Sequence, residues 1–226
     1  MSRRDNVEAR CRRCRMHDVL CVCDLIPSLA TRTRLVLVIH RIEERKPTNT
    51  GLLATRCLPN SDVMLRGVMN EPEPRFVDDP ARQPLLLFPH EQALPITEYA
   101  NSPRPVTLIV PDGTWRQASK VPNRVPGLAG VPCVTLPPDE PTIYRLRAEF
   151  HAGRLATLEA IARALGILDG APVRQAMERV FRVMVERTLW LRGTLATERV
   201  TGGIPERALA NDPRGGPPAL LADYEP

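Results

Sequence analysis

No stretch of the sequence approaches the roughly 20 consecutive apolar residues that a membrane-spanning helix requires. The opening run MSRRDNVEARCRRCR lacks the apolar centre of a secretory leader. The expectation is a cytoplasmic protein with no membrane partner, whose cysteines stay reduced. Lysine is almost absent: of 31 Lys and Arg residues, only Lys46 and Lys120 are lysine. A GC-rich coding sequence accounts for that bias, and Arg is also the better fork for phosphate. There is no G-x-G-x-x-G and no Walker-type loop, which removes the usual signatures of dinucleotide binding and P-loop chemistry. No internal repeat is present.

What is there suits a folded protein. The 226 residues are 43% hydrophobic, enough for a sizeable core. The net charge of +5 is compatible with a nucleic-acid partner without requiring one. Short apolar runs at Arg34–His40, Pro84–Phe88, Val106–Val110 and Cys133–Leu136, with a weaker one at Asp62–Leu65, read as buried strands. Such near-continuous runs predict a mostly parallel sheet with helices on both faces. Helical patterns fall at Thr50–Cys57, Thr114–Val121, Leu155–Leu168 and Val173–Arg192. In the last of these, Arg174, Arg179, Arg182 and Arg192 lie off the apolar stripe and read as a solvated face. The predicted division is a cysteine-rich segment over residues 1–30, an α/β domain over 31–200 and an irregular tail over 201–226.

Four of six cysteines fall within thirteen residues, as Cys11-x-x-Cys14, six residues, then Cys21-x-Cys23. Two close thiol pairs on a short loop can wrap a tetrahedral Zn²⁺, and four thiolates leave no open position, so the ion would be structural. A redox CxxC pair and unligated thiols are the alternatives; the first lacks the preceding strand of a thioredoxin-like unit. His17 lies in the same loop. Cys57 and Cys133, in a helix and a strand, read as buried small apolar residues.

The richest stretch is VTLIVPDGTWRQA, residues 106–118. A buried strand ends at Pro111, Asp112 and Gly113 turn the chain, and Thr114 starts a helix with Gln117 at capping-box spacing. Ligands of open α/β sheets bind at the carboxyl ends of strands, where this turn places Asp112 and Trp115. The plainer reading is a cap at Thr114, an Asx-turn at Asp112 and a core-filling Trp115.

Asp112-x-Thr114-Trp115 resembles the signature of the DTW-domain family, the tRNA-uridine aminocarboxypropyltransferases. The resemblance extends over most of the chain: the four cysteines, His40 followed by Lys46-Pro-Thr-Asn-Thr-Gly51, PDGTW, Tyr144-Arg-Leu-Arg147, and Leu155-Ala-Thr-Leu-Glu-Ala160. It implies a SPOUT-like fold with a knotted cofactor region, S-adenosylmethionine as donor and a tRNA uridine as acceptor. The implied reaction moves the 3-amino-3-carboxypropyl group and releases methylthioadenosine. Asp112 is then the candidate base, or the group that holds the donor's ammonium or orients the uridine. Thr50, Thr114, Trp115 and Tyr144 are candidates for the donor site. Lys46, Asn49, Arg145 and Arg147 are candidates for RNA contact, and Cys11, Cys14, Cys21 and Cys23 for the metal. The start of the helix after Thr48 could receive a carboxylate or phosphate, or could simply be capped. Tyr144, Arg145 and Arg147 could serve stacking and phosphate contact, or surface pairing.

One position departs from the family pattern. Ala156 stands where relatives commonly carry Ser, so a capping box with Glu159 cannot form and Thr157 is left to cap. Two rival functions remain: a SPOUT-like methyltransferase using the same donor, and a non-catalytic zinc-containing RNA-binding protein.

Overall fold

The computed structural model describes residues 9–47, 49–138, 141–144, 146, 155–210 and 212. Two compact units emerge, and they do not follow the linear order of the chain. One comprises residues 27–140 and 156–177; the other comprises 1–26, 141–155 and 178–226.

The first unit is built on six strands: β1 (Arg34–His40), β2 (Ser61–Arg66), β3 (Gln83–Leu87), β4 (Leu94–Pro95), β5 (Val106–Asp112) and β6 (Cys133–Thr135). Their order is β2-β1-β5-β3-β6-β4, and every pairing is parallel. β5 is buried along its whole length and β1 from Leu35 to Ile39. Burial on both faces explains the unbroken apolar runs. Successive side chains of a strand face opposite ways. Val36, Val38, Leu86 and Ile109 pack with Ala118, Val121, Val125 and Leu128 on one face. Leu37, on the other face, meets the helix α2 described below at Gly51.

The helices of this unit follow strands. α1 (Arg41–Glu44) follows β1, and α2 (Thr50–Cys57) leads to β2. α3 (Trp115–Ala118) and α4 (Val121–Arg124) follow β5. Periodicity alone predicts one helix over 114–121; instead the chain breaks into two. Pro122 has no N–H to give the carbonyl of Ala118, so the ladder lapses there and resumes one turn later. α5 (Thr157–Leu168) packs against α2.

The topology selects one place for chemistry. After β1 the next strand lies to one side, and after β5 the next lies to the other. β1 and β5 are therefore neighbours from which the chain departs in opposite directions. In open α/β sheets that divergence opens a crevice at the carboxyl edge. Asp112, the last residue of β5, pairs in register with Ile39 of β1 and so stands at that crevice.

The second unit contains the cysteine loop, the greater part of α6 (Ala171–Leu191) and the short helix α7 (Glu206–Leu209). The loop is tied to the helix from several directions. Arg187 Nη1 donates to the carbonyls of Cys21 at 2.7 Å and Leu20 at 3.4 Å. Thr188 Oγ1 reaches Met16 Sδ at 3.8 Å, and Arg207 Nη2 donates to the carbonyl of Asp18 at 2.8 Å. Trp190 is fully buried, with Nε1 donating to Thr197 Oγ1 at 3.0 Å. Residues 201–226, expected to be irregular, include α7; residues 213–226 lie outside the described residues.

Candidate active site and metal centre

Asp112 is 7% exposed and both of its carboxylate oxygens are engaged. Asn49 Nδ2 donates to Oδ2 at 2.5 Å, and Thr157 Oγ1 donates to Oδ1 at 2.5 Å. Asn49 is the N-cap of α2, and its Oδ1 accepts from Leu52 N at 2.9 Å. That cap fixes which end of the amide faces Asp112, since only the nitrogen can donate. Thr157 is the first residue of α5. Two helix starts thus deliver one donor each to a single carboxylate.

Gly51 permits this approach. A Cβ at that position would lie 2.9 Å from Asp112 Oδ2 and 3.0 Å from Leu37 Cδ1. Gly113, at φ +145°, makes the turn that an L side chain rarely adopts. The capping box read from the sequence is present: Thr114 Oγ1 accepts from Gln117 N at 3.3 Å, and Gln117 Oε1 accepts from Thr114 N at 2.8 Å.

The absence of a hydroxyl at 156 is resolved by another residue. Thr157 does not cap α5, because its hydroxyl is turned to Asp112. Thr50 Oγ1 takes the role instead, accepting from Leu158 N at 3.3 Å. Glu159 supplies the other half, accepting from Ala156 N at 3.0 Å. Asn49 and Thr157 bond to Asp112 directly and Thr50 bonds to the residue after Thr157, so three elements distant in sequence meet here. The sequence motifs contain all four residues, but nothing in their spacing shows that Thr157 faces the carboxylate.

The other expected residues divide. Trp115 is 51% exposed, so it does not fill the core; its ring lies on Phe88 with centroids 4.8 Å apart. Lys46 Nζ is paired with the buried Glu43 at 2.7 Å. Tyr144 belongs to the second unit, where it is buried with its ring stacked on Phe181, centroids 5.8 Å apart. Thr48, Arg145 and Arg147 lie outside the described residues. A cavity of about 190 Å³ lies between the end of β6 at Leu136 and Pro137 and the helices bearing Arg163 and Arg174. It does not include Asp112.

The four thiols of the amino-terminal loop converge. Cys11, Cys14, Cys21 and Cys23 Sγ all lie within 4.8 Å of one another. Cys11 to Cys23 is 3.5 Å and Cys14 to Cys21 is 3.6 Å. A tetrahedral ion at about 2.3 Å from each sulfur sets the sulfurs about 3.8 Å apart, so the cluster has the spread to hold one. Burial pushes the Cys14 thiol up to about 11, and burial with the facing thiols raises Cys23. Burial also works against ionisation at Cys11, but the backbone N–H groups of Cys14 and Arg13 prevail and bring it down to about 7. Thiols crowded together resist sharing negative charge, and a divalent cation at their centre would reverse that. Arg187, held to the carbonyl of Cys21, adds positive charge beside the cluster and was not singled out from the sequence. Cys57 is fully buried, and burial pushes it up to about 12. It behaves as a packing residue, and Cys133 is partly buried in the sheet core.

The family described as DTW domain matches residues 8–189. A Drosophila melanogaster protein named tRNA-uridine aminocarboxypropyltransferase 2 is 30% identical over 194 residues, covering 81% of this chain and 76% of its own. An Arabidopsis thaliana protein named tRNA-uridine aminocarboxypropyltransferase A is 29% identical over 213 residues, covering 77% and 79%. A Macaca fascicularis protein named tRNA-uridine aminocarboxypropyltransferase 2 is 30% identical over 167 residues, covering 70% and 56%. No solved structure matches.

Proposed function

The chain belongs to the DTW-domain family, and from that premise we propose that it is a tRNA-uridine aminocarboxypropyltransferase that uses S-adenosylmethionine as donor. The observation that carries the reading is the Asp112 carboxylate, held by Asn49 and Thr157 at the crevice between β1 and β5. A protein that only binds RNA has no use for a buried carboxylate so held at a strand's end.

The reaction displaces a thioether from a sulfonium-activated carbon. A bond forms between the uracil imide nitrogen and the donor's γ-carbon, the carbon–sulfur bond breaks and its electron pair stays on sulfur, and the imide proton leaves. Asp112 has one lone pair left on each oxygen beyond the bonds it already accepts, so it can take that proton or hold the donor's ammonium. The first-turn N–H groups of Thr50 and Gly51 suit the donor's carboxylate, since a helix start has no internal acceptor for them. Trp115 offers an exposed ring for the uracil or the donor. Thr114 remains assigned to the donor site, and Lys46, Asn49, Arg145 and Arg147 to tRNA. The cysteine cluster is assigned a structural Zn²⁺. The catalytic domain is read as SPOUT-like, in keeping with the non-sequential parallel order of its sheet, and the knot in its cofactor region rests on the family resemblance alone. Among the described residues no helix is long and apolar enough to cross a membrane, and the reading places the protein in the cytoplasm, with tRNA and reduced thiols.

The donor's methyl carbon is less hindered than its γ-carbon. Transfer of the longer arm therefore depends on the protein aligning the γ-carbon with the attacking nitrogen at about 3–3.5 Å. Incubation with tRNA and S-adenosylmethionine, followed by mass identification of the nucleoside coproduct, should yield methylthioadenosine. S-adenosylhomocysteine alone would replace this reading with methyl transfer. Neither product would leave an RNA-binding protein.

A further inference from the structure

The turn after Asp112 continues into a row of cations. Arg116, Lys120 and Arg124 are spaced four apart across α3 and α4. The two residues between the helices, Ser119 and Lys120, keep right-handed helical angles, so the segment winds on with little change of direction. Positions four apart share a side of such a segment. The opposite side carries Ala118, Val121 and Val125, which are buried in the sheet core. Arg116 and Arg124 are exposed and Lys120 is half-buried. None of the three makes an ion pair among the described residues. Arg41 and Arg45, also four apart, stand on the turn after β1, the strand beside β5, and likewise lack an ion pair there. Cations without an ion pair among the described residues thus follow both of the strands that border the crevice.

We propose that Arg116, Lys120 and Arg124 form the row that takes the tRNA backbone and seats the acceptor uridine over Asp112. The proposal rests on the transfer reading for the identity of the RNA. Helical rise separates successive cations by about 6 Å along the axis, a step comparable to that between neighbouring phosphates of one strand. The row starts one residue beyond the exposed Trp115, so a chain lying along it brings a base to that ring and to the carboxylate. Phosphate contact by three cations has a defined signature, because each releases condensed counterions. The row carries no base-reading group, and its contribution is to affinity and register rather than to sequence choice.

The test is tRNA binding by the full-length chain, followed by fluorescence anisotropy across a range of NaCl concentrations. The variant R116Q/K120Q/R124Q should lower the slope of log affinity against log salt by about 2 to 3. R116K/R124K, which keeps the charge, should keep the wild-type slope. R179Q/R182Q/R199Q removes the same formal charge from exposed arginines elsewhere and should change the slope by less than about 1. An unchanged slope in the first variant, or an equal loss in the third, overturns the proposal. Methylthioadenosine formation by the wild type is measured in parallel. Its absence defeats the transfer reading while the slopes still decide the row; its presence with unchanged slopes defeats the row alone.

Discussion

Asp112 differs from an ordinary turn aspartate in what surrounds it. An Asx-turn residue uses its side chain on nearby backbone; here both oxygens are met by side chains 63 and 45 residues away. A hydrogen bond to a charged group is worth about 1.5–3 kcal/mol, and in this setting it also fixes the direction in which the free lone pairs point. Asp112→Asn should leave the chain folded and lower transfer by at least about 100-fold, the low end for acid–base groups. Thr157→Val removes one donor at nearly constant shape and should lower turnover about tenfold or more, while Thr157→Ser restores it. Steady-state kinetics with methylthioadenosine as readout decides this. Full activity in Thr157→Val would return the hydroxyl to a packing role, and near-normal turnover in Asp112→Asn would return the carboxylate to the turn.

At the scale of elements, α5 shows how a helix start is completed across space. A Ser at position 156 would accept from the N–H of Glu159, but Ala156 has no acceptor. Thr50 compensates by accepting from Leu158, one residue earlier, so it does not occupy the bond that Ser would make. The reciprocal bond from Ala156 N to Glu159 is already in place. Ala156→Ser should therefore add to the existing arrangement and stabilise the protein by about 1 kcal/mol, within the usual range for an N-cap hydroxyl. Denaturant unfolding measures it. A stability unchanged or reduced by the serine would mean that Thr50 has already met the helix's need. The break between α3 and α4 belongs to this scale too, where Pro122 withholds an N–H from the helical ladder.

Across the whole molecule, the cysteine loop and the last long helix form one body although they stand at opposite ends of the sequence. Arg187 spans 166 residues to reach the carbonyl of Cys21. Metal held by the four thiols would stabilise that body directly, because structural Zn²⁺ contributes its binding energy to folding. Purified protein should contain one Zn²⁺ per chain. Replacing any one of Cys11, Cys14, Cys21 or Cys23 by Ser should lower metal content and increase protease susceptibility in the amino-terminal loop. Elemental analysis with thiol titration checks the first point; four freely titrating thiols and no metal in the wild type would refute it.

The elements and their chemistry were legible in the sequence wherever the signal is local. β1 and α2 have the bounds that periodicity assigns, because apolar runs and helical spacing follow from the geometry of one segment. The thiol loop and the capping box of Thr114 and Gln117 are equally local, resting on residues a few positions apart. What local spacing could not supply is pairing between segments. The strand order set β5 beside β1 and so turned Asp112 into a crevice residue rather than a loop aspartate. The meeting of α2 and α5 set Thr157 on that carboxylate and gave its expected cap to Thr50. The physical reason is that a hydrogen bond needs its partners within about 3 Å, and only the packed sheet brings residues from three separate stretches of chain to that distance.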